Sequence, residues 1–490
     1  MAEAREFRRE LKLLDATMIV IGSMIGSGIF LVSADIARTV GGAGWLLVSW
    51  LVAGVITLIG ALSYGELAGM MPHAGGQYVY LREAYNPLTA FLYGWTMFMV
   101  IQTGTIAAVG VAFAKFTAVL LPGLGENVVL LDAGLFKVTA ARVVAIASIL
   151  FLTWVNTRGI HGGKIVQDVF TLTKTVALLA LIALGLAIGR NAQALAANFP
   201  QFWHASWTHV EGGLIRSVEP LAGLALLGAL GASLVGSLFS CDAWNNITFT
   251  AGEVVQPKRT IPLSLALGTG TVILLYLLAN VAYVQILPVL GTPGAADVFG
   301  RGIQFATSDR VGVAAATVIF GAPAAALMAG LIMISTFGCN NGLILAGARV
   351  YYAMARDRLF FAKAGELNRK SVPGWALAAQ AVWASLLCLS GTYSNLLDYV
   401  IFAVLVFYIL TIWGIFILRR TRPAAERPYR AFGYPLVPGV YILAAAAIAL
   451  DLLIEKPLYT WPGLGIVLLG IPVYLVWTRM QRGGQAPGEG

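Results

Sequence analysis

The stretch IGSMIGSGIF, Ile21–Phe30, interrupts what otherwise reads as a single apolar helix. Gly22, Gly26 and Gly28 share it with Ser23 and Ser27. A glycine in a helix interior costs about 1 kcal/mol relative to alanine. The pair Gly22–Gly26 by itself would mark a close-packing face between helices. Packing does not account for Gly28 and the two serines, nor for a second interruption in LFSCDAWNN, Leu238–Asn246. There small and polar residues again break an apolar run, and Asp242 puts a charge at membrane depth.

The rest of the chain explains why such breaks are tolerated. Of 490 residues, 59% are hydrophobic and only 11% charged, which points to a polytopic membrane protein. The apolar runs are continuous and long enough for helices, whereas a barrel would show short alternating segments. The expected fold is all-α, with twelve transmembrane helices at about 14–37, 43–70, 86–121, 138–157, 164–189, 221–251, 261–288, 313–347, 374–391, 393–418, 434–453 and 460–480. Residues 1–13 form an N-terminal segment with no cleavage signature, and 481–490 a disordered tail. Cys241, Cys339 and Cys388 lie in apolar segments and read as buried free thiols. No HExxH, phosphate loop or carboxylate pair occurs, so neither metal, cofactor nor enzyme activity is expected. The sequon at Asn246 falls inside a span and is discounted.

Lysine and arginine set the expected orientation. Of the 32, 21 fall on the side of the N-terminus, 8 on the other and 3 within spans. Both termini are therefore expected in the cytoplasm of a cell whose plasma (inner) membrane holds the protein. The net charge of +9 follows this asymmetry and implies no nucleic-acid partner. Spans one to five (14–189) and six to ten (221–418) form two sets of five. An odd-numbered set must be inverted relative to its copy, so broken spans one and six would correspond. Spans eleven and twelve (434–480) stand outside the repeat.

If span one unwinds near Met24–Gly28, backbone groups appear at the midplane, which is tolerated only where they line a cavity. One half-helix offers N–H donors and a positive dipole end, the other carbonyls and a negative end. A zwitterionic α-amino acid matches both without a charged side chain.

These two stretches, together with SYGELAGMMPHAGGQYVYLREAY (Ser63–Tyr85), VQDVFTLTK (Val166–Lys174) and the continuation of the second break to Pro262, resemble the amino acid–polyamine–organocation transporter superfamily. Within it, the L-type amino acid transporter family is most similar. The resemblance covers spans one to ten. It implies a LeuT-like five-plus-five inverted repeat with broken helices one and six, working by alternating access. It further implies that Ser27 and Gly28, with Met24, Gly26 and Ile29, bind the α-carboxylate and help receive the ammonium. Phe239 matches the gating aromatic, carbonyls around Phe239 and Ser240 accept from the ammonium, and Trp244 and Asn245 follow the break. Phe239 and Trp244 also fit ordinary packing, Trp244 equally well. Met24, Ile29, Phe239 and Cys241 would set side-chain preference, with Gln102 and Thr105 as further candidates.

This chain departs from the family pattern at Cys241, Asp242 and Ala243. A carboxylate at this depth costs at least ~3 kcal/mol unless paired or wetted. Asp242 either contacts substrate, pairs, titrates or caps the second half-helix. If it faces the pocket, polar or cationic side chains become plausible cargo. Some family members carry a disulfide-linked subunit on a cysteine between spans three and four. Residues 122–137 contain none, so no such partner is implied. Lys174 lies too deep for snorkelling. The resemblance sets it where sodium-coupled relatives hold a cation, with Ser335 and Thr336 as partners. A fixed ammonium there implies sodium-independent exchange, and one that gives up its proton implies proton coupling.

The sequence thus points to a secondary transporter of L-amino acids in the lipid bilayer, exchanging neutral substrates. A proton symporter and an amino acid-sensing protein without transport are the alternatives. Glu66, Arg82, Glu83 and Glu253 are expected to brace loops on the N-terminal side. Gly75–Tyr85 is expected to be an amphipathic segment at that surface.

Overall fold

A computed structural model describes residues 9–132, 137–211, 213–390 and 393–483. The first eight residues and the tail from 484 onward lie outside the described residues. Apart from short turns in loops, the helices are α1 (Leu13–Met24), α2 (Gly28–Val40), α3 (Ala43–Met70), α4 (Gln77–Ala84), α5 (Pro87–Leu120), α6 (Ala140–Thr157), α7 (Ile160–Ala187), α8 (Gly223–Ser240), α9 (Asn246–Phe249), α10 (Pro257–Ile286), α11 (Val311–Phe320), α12 (Pro323–Arg356), α13 (Gly374–Ser390), α14 (Tyr393–Thr421), α15 (Leu436–Glu455) and α16 (Pro457–Gly483). Two antiparallel hairpins lie on the face opposite the N-terminus. They are β1 (Val129–Asp132) with β2 (Lys137–Thr139), and β3 (Ser206–Glu211) with β4 (Leu214–Pro220).

Among the described residues, eleven segments are long and apolar enough to cross a membrane, with the unit Leu13–Val40 counted as one; α13 is apolar but shorter. The chain is a multi-pass helical membrane protein. Exposed leucines, valines and tryptophans on the outside of these helices, such as Leu51, Val55, Trp154 and Leu450, belong to a lipid-facing belt.

Local chemistry accounts for the helix ends. Asn86 caps α5 by accepting from Thr89 N at 2.9 Å, and Pro87 follows at the first helical position, where its missing N–H costs nothing. The expected eighth span, 313–347, is in fact two helices. Gly321 adopts φ of 81° between α11 and α12, and Pro323 begins α12 afresh, so the chain turns there. The amphipathic segment after Gly75 is also different: Gln77–Leu81 of α4 are buried under neighbouring helices rather than lying on a surface.

Ion pairs fasten the N-terminal face. Glu66, 1% exposed in its side chain, accepts from Arg419 through both oxygens (2.9 and 2.6 Å) and from the Ala431 N–H at 2.7 Å. Asp357 takes Arg82 and the Tyr78 hydroxyl, and Glu83 takes Arg422. Arg349 of α12 meets Glu253, just beyond α9, at 3.0 Å with both side chains buried. The Glu253 carbonyl also accepts from the N–H groups of Glu10 and Leu11, pinning the start of the chain to the end of the second broken helix.

Breaking a buried ion pair by removing one partner costs about 3–5 kcal/mol, while replacing both by apolar groups is often near neutral. Glu253→Leu or Arg349→Met alone is therefore expected to lower the Tm of the detergent-solubilised protein strongly, and the double variant less than either. Additive losses in thermal denaturation would show that the pair is not coupled.

Candidate functional site

α1 ends at Met24 and α2 begins at Gly28, leaving Ile25, Gly26 and Ser27 outside any helix. A helix end leaves unpaired carbonyls on one side of such a break and unpaired N–H groups on the other. Here the two sets meet different fates. The carbonyls are taken by side chains from three surrounding helices. Lys174 Nζ of α7 donates to Gly22 O at 2.5 Å and Ile25 O at 2.7 Å. Ser335 of α12 donates to Ile25 O and Gly26 O, both at 3.3 Å. The Tyr276 hydroxyl of α10 donates to Met24 O at 2.8 Å, and the Cys339 thiol of α12 to Ser23 O at 3.0 Å. By contrast, the N–H groups of Ser27, Gly28 and Ile29 take no acceptor among the described residues. The Ser27 hydroxyl does not cap α2; it lies 3.0 Å from the Tyr393 hydroxyl.

Thr336, expected beside Ser335, turns back onto its own helix, donating to Ile332 O and Met333 O. At i and i+4 from Ser335, the face of α12 toward the break is instead completed by Cys339.

The second break lies between α8 and α9. Cys241–Asn245 are non-helical, and Ala243 adopts φ of 66°, a left-handed conformation that costs a non-glycine residue about 1–3 kcal/mol. The two breaks touch. A Cβ on Gly28 would collide with Ser240, whose hydroxyl is held by Gly236 O at 2.7 Å. Phe239 stands edge-on to Tyr393, with ring centroids 6.1 Å apart. The Tyr393 hydroxyl thus links this ring pair to Ser27.

Asp242 accepts from the Tyr408 hydroxyl at 2.6 Å. It does not cap the following helix, since α9 has no side-chain cap. Asp242 and Asn245 face a cavity also lined by Gln77, Tyr93, Gln102, Thr105 and Asn246. Asn245 donates to Gln77 at 3.1 Å, and Gln77 to Thr411 at 3.0 Å. The Tyr93 hydroxyl and the Asn246 amide nitrogen are buried with no partner among the described residues. A π-helical turn, Met97–Ile101, interrupts α5 along this wall, a distortion frequent at functional sites. Trp244 packs edge-on to Tyr64 (4.7 Å) and against Tyr408 (5.2 Å), 2% exposed, and acts as core. Met24, Ile29 and Cys241 are buried around the breaks. All three cysteines are free and buried.

Tyr276, Cys339, Tyr393, Tyr408 and Gln77 escape a reading of the sequence. Each sits in an otherwise ordinary apolar or loop context and acquires its role only by packing against a break.

A family model described as "Amino acid permease" matches residues 11–476 of this chain. The chain is similar to the b(0,+)-type amino acid transporter 1 of Mus musculus, 27% identical over 460 residues that cover 93% of this chain and 84% of that protein. It is similar to the Serine/threonine exchanger SteT of Bacillus subtilis, 28% identical over 475 residues, 96% of this chain and 97% of that one. Similarity to the Large neutral amino acids transporter small subunit 2 of Mus musculus is also 28%, over 97% of this chain and 82% of its length.

The contact between the breaks yields a prediction. Gly28→Val is expected to abolish amino acid binding, because a β-branched side chain both blocks approach to the N–H groups and drives Ser240 away. Gly28→Ala is expected to weaken it, and Ser240→Gly, by removing the colliding atoms, to restore part of the loss. Scintillation-proximity binding on the single and double variants checks this; normal affinity in Gly28→Val defeats the assignment of the N–H groups at the start of α2 to the carboxylate.

Proposed function

The chain belongs to the amino acid permease family, and on that premise we propose that it exchanges neutral L-amino acids across the plasma membrane, independently of sodium, by alternating access. The observation that carries this reading is the asymmetry of the first break. Its carbonyls are already engaged by Lys174, Ser335, Tyr276 and Cys339, while the N–H groups at the start of α2 remain available. Unpaired donors at a helix N-terminus suit a carboxylate. The substrate ammonium then falls to the carbonyls released by the second break, which Gly28 and Ser240 bring alongside. Lys174 supplies a built-in cation beside the first break, so no sodium ion is needed to hold α1.

The five-plus-five inverted repeat is supported by the second interruption and by the pairing of halves: α2 packs against α8, and α1 against α9. Counting α13 gives twelve spans. The excess of lysine and arginine on the N-terminal side supports cytoplasmic termini.

A second reading concerns side-chain class. Asp242, Gln77 and Asn245 give the cavity a polar wall, and the unpartnered Tyr93 hydroxyl and Asn246 amide want hydrogen bonds there. That favours polar or cationic side chains among the substrates. Proton symport through Lys174 or Asp242 is the mechanistic rival.

Counterflow in proteoliposomes against a panel of labelled neutral, hydroxylated and cationic amino acids tests these readings, with and without sodium and a pH gradient. Uptake that requires internal amino acid and ignores sodium is expected. Uptake driven by a pH gradient without internal substrate would establish symport, and binding without counterflow a sensing role. Lys174→Ala is expected to slow exchange at least about tenfold, a loss of some 1.4 kcal/mol in the rate-limiting barrier, with a smaller change in binding affinity. Unchanged turnover would make the lysine purely structural.

A further inference from the structure

In the half of the helical bundle away from the N-terminus, a cavity of about 530 Å³ lies between α3, α8 and α15. Its walls are apolar, and Val52, Leu224, Leu227 and Ile454 are exposed there toward the lipid belt. Two carboxylates enter it from the last two turns of α15, Asp451 and Glu455. A 20-residue helix is about 30 Å long, the thickness of the hydrocarbon core, so Asp451 lies about 6 Å below its end. The two acids stand one turn apart, where like charges repel, at the helix end whose dipole is negative. Neither has a hydrogen bond or ion pair among the described residues, and Asp451 Oδ2 is buried. No lysine, arginine or histidine lines the cavity, and the Ser49 hydroxyl there is engaged by Trp45 O and Ser233. Lys456, next in the chain, is held by Asp398 at 2.8 Å. The carboxylates are nevertheless drawn in against α8. A Cβ on Gly231 would collide with Asp451, and one on Gly228 would stand 3.1 Å from Glu455 Oε1. Glycine at both places lets the acids reach the surface of that helix.

We propose that this cavity binds a membrane lipid with a primary ammonium headgroup, phosphatidylethanolamine. The ammonium sits between Asp451 and Glu455, an acyl chain runs along Leu224, Leu227 and Leu230, and the phosphate stays in the headgroup layer. A carboxylate with no protein partner inside the hydrocarbon region is costly unless a cation joins it. A primary ammonium brings three donors to the two acids, whereas a choline headgroup brings none. A partner helix, about 10–12 Å across, is too wide for a cavity of this volume between three helices, and an alkyl chain is not. At its other end α8 carries Phe239 and Ser240 of the second break, so the lipid ties the start of that helix to α15.

The test is competitive lipid retention by the purified full-length protein. It is read by native mass spectrometry from detergent holding equal amounts of phosphatidylethanolamine and phosphatidylcholine with matched acyl chains. The wild type is expected to retain the ethanolamine lipid at least about tenfold over the choline lipid, the scale of one charge-assisted hydrogen bond. Asp451→Asn is expected to remove that preference. Equal retention of the two lipids by the wild type, or an unchanged preference in Asp451→Asn, overturns the proposal. Should Asp451→Asn fail to fold, Glu455→Gln, at the exposed end of the helix, decides by the same ratio. A dimer in the wild-type spectra that Asp451→Asn dissociates assigns the cavity to a second copy of the chain, and overturns the proposal as well. The readout is lipid rather than transport, so either result leaves the carrier reading to its own test.

Discussion

The arrangement of the first break depends on one ammonium, that of Lys174, set between the carbonyls of Gly22 and Ile25. Removing an ion from water costs several kcal/mol even after the protein relaxes. Two charge-assisted hydrogen bonds return about 1.5–3 kcal/mol each. The C-terminal dipole of α1 adds up to about 2 kcal/mol when a cation is partly buried at a helix end. The balance closes only because the helix stops here. An intact helix would consume its own carbonyls, and the lysine would have none to bind. The break and the lysine therefore require each other, and both fix α1 to the scaffold helix α7.

This requirement dictates how the remaining backbone groups are divided. With the acceptors engaged by α7, α10 and α12, what the first break presents is a set of N–H donors on α2. On the proposed reading, the second break supplies the complementary acceptors, and it comes close enough to do so. Gly28 permits that approach, since any Cβ there would strike Ser240. Ala243 in a left-handed conformation bears part of the cost of the bend. Glycine at one break and strain at the other are the two halves of one close contact.

The two interruptions were legible in the amino-acid order because glycine, serine and aspartate are out of place in an apolar run. Ile25–Ser27 and Cys241–Asn245 unwind where those residues fall. The depth of Lys174 was equally legible, because its distance along the helix is a matter of counting. Its partners were less so: Ser335 reaches the break and Thr336 does not, a difference of about 100° in helical rotation that depends on how α12 is turned. Tyr276 and Tyr393 left no trace, since a tyrosine in a membrane helix is common and its hydroxyl partner is set by tertiary packing. The eighth span reads as one piece in the sequence because Gly321 and Pro323 sit in a continuous apolar run, and hydropathy does not register a turn made of apolar residues.

Asp242 is the charged group of the second break. Helix capping would explain its presence without any ligand, but α9 is only four residues long and receives no side-chain cap. The carboxylate instead takes a hydrogen bond from Tyr408 and looks into a cavity where the amides of Gln77, Gln102, Asn245 and Asn246 and the hydroxyls of Tyr93 and Thr105 stand among apolar side chains such as Met97, Leu343 and Phe407. The hydrogen bonds from the Tyr408 hydroxyl and the Ala243 N–H, worth about 1 kcal/mol each, do not fully offset the ~3 kcal/mol or more of holding a carboxylate at this depth. The remainder must come from water or from a donor on the substrate. A donor-bearing side chain then gains affinity by satisfying a group the protein leaves short, while an aliphatic one must displace water and return nothing to the carboxylate. On the proposed carrier reading, discrimination at this wall follows the hydrogen-bonding capacity of the cargo more than its size.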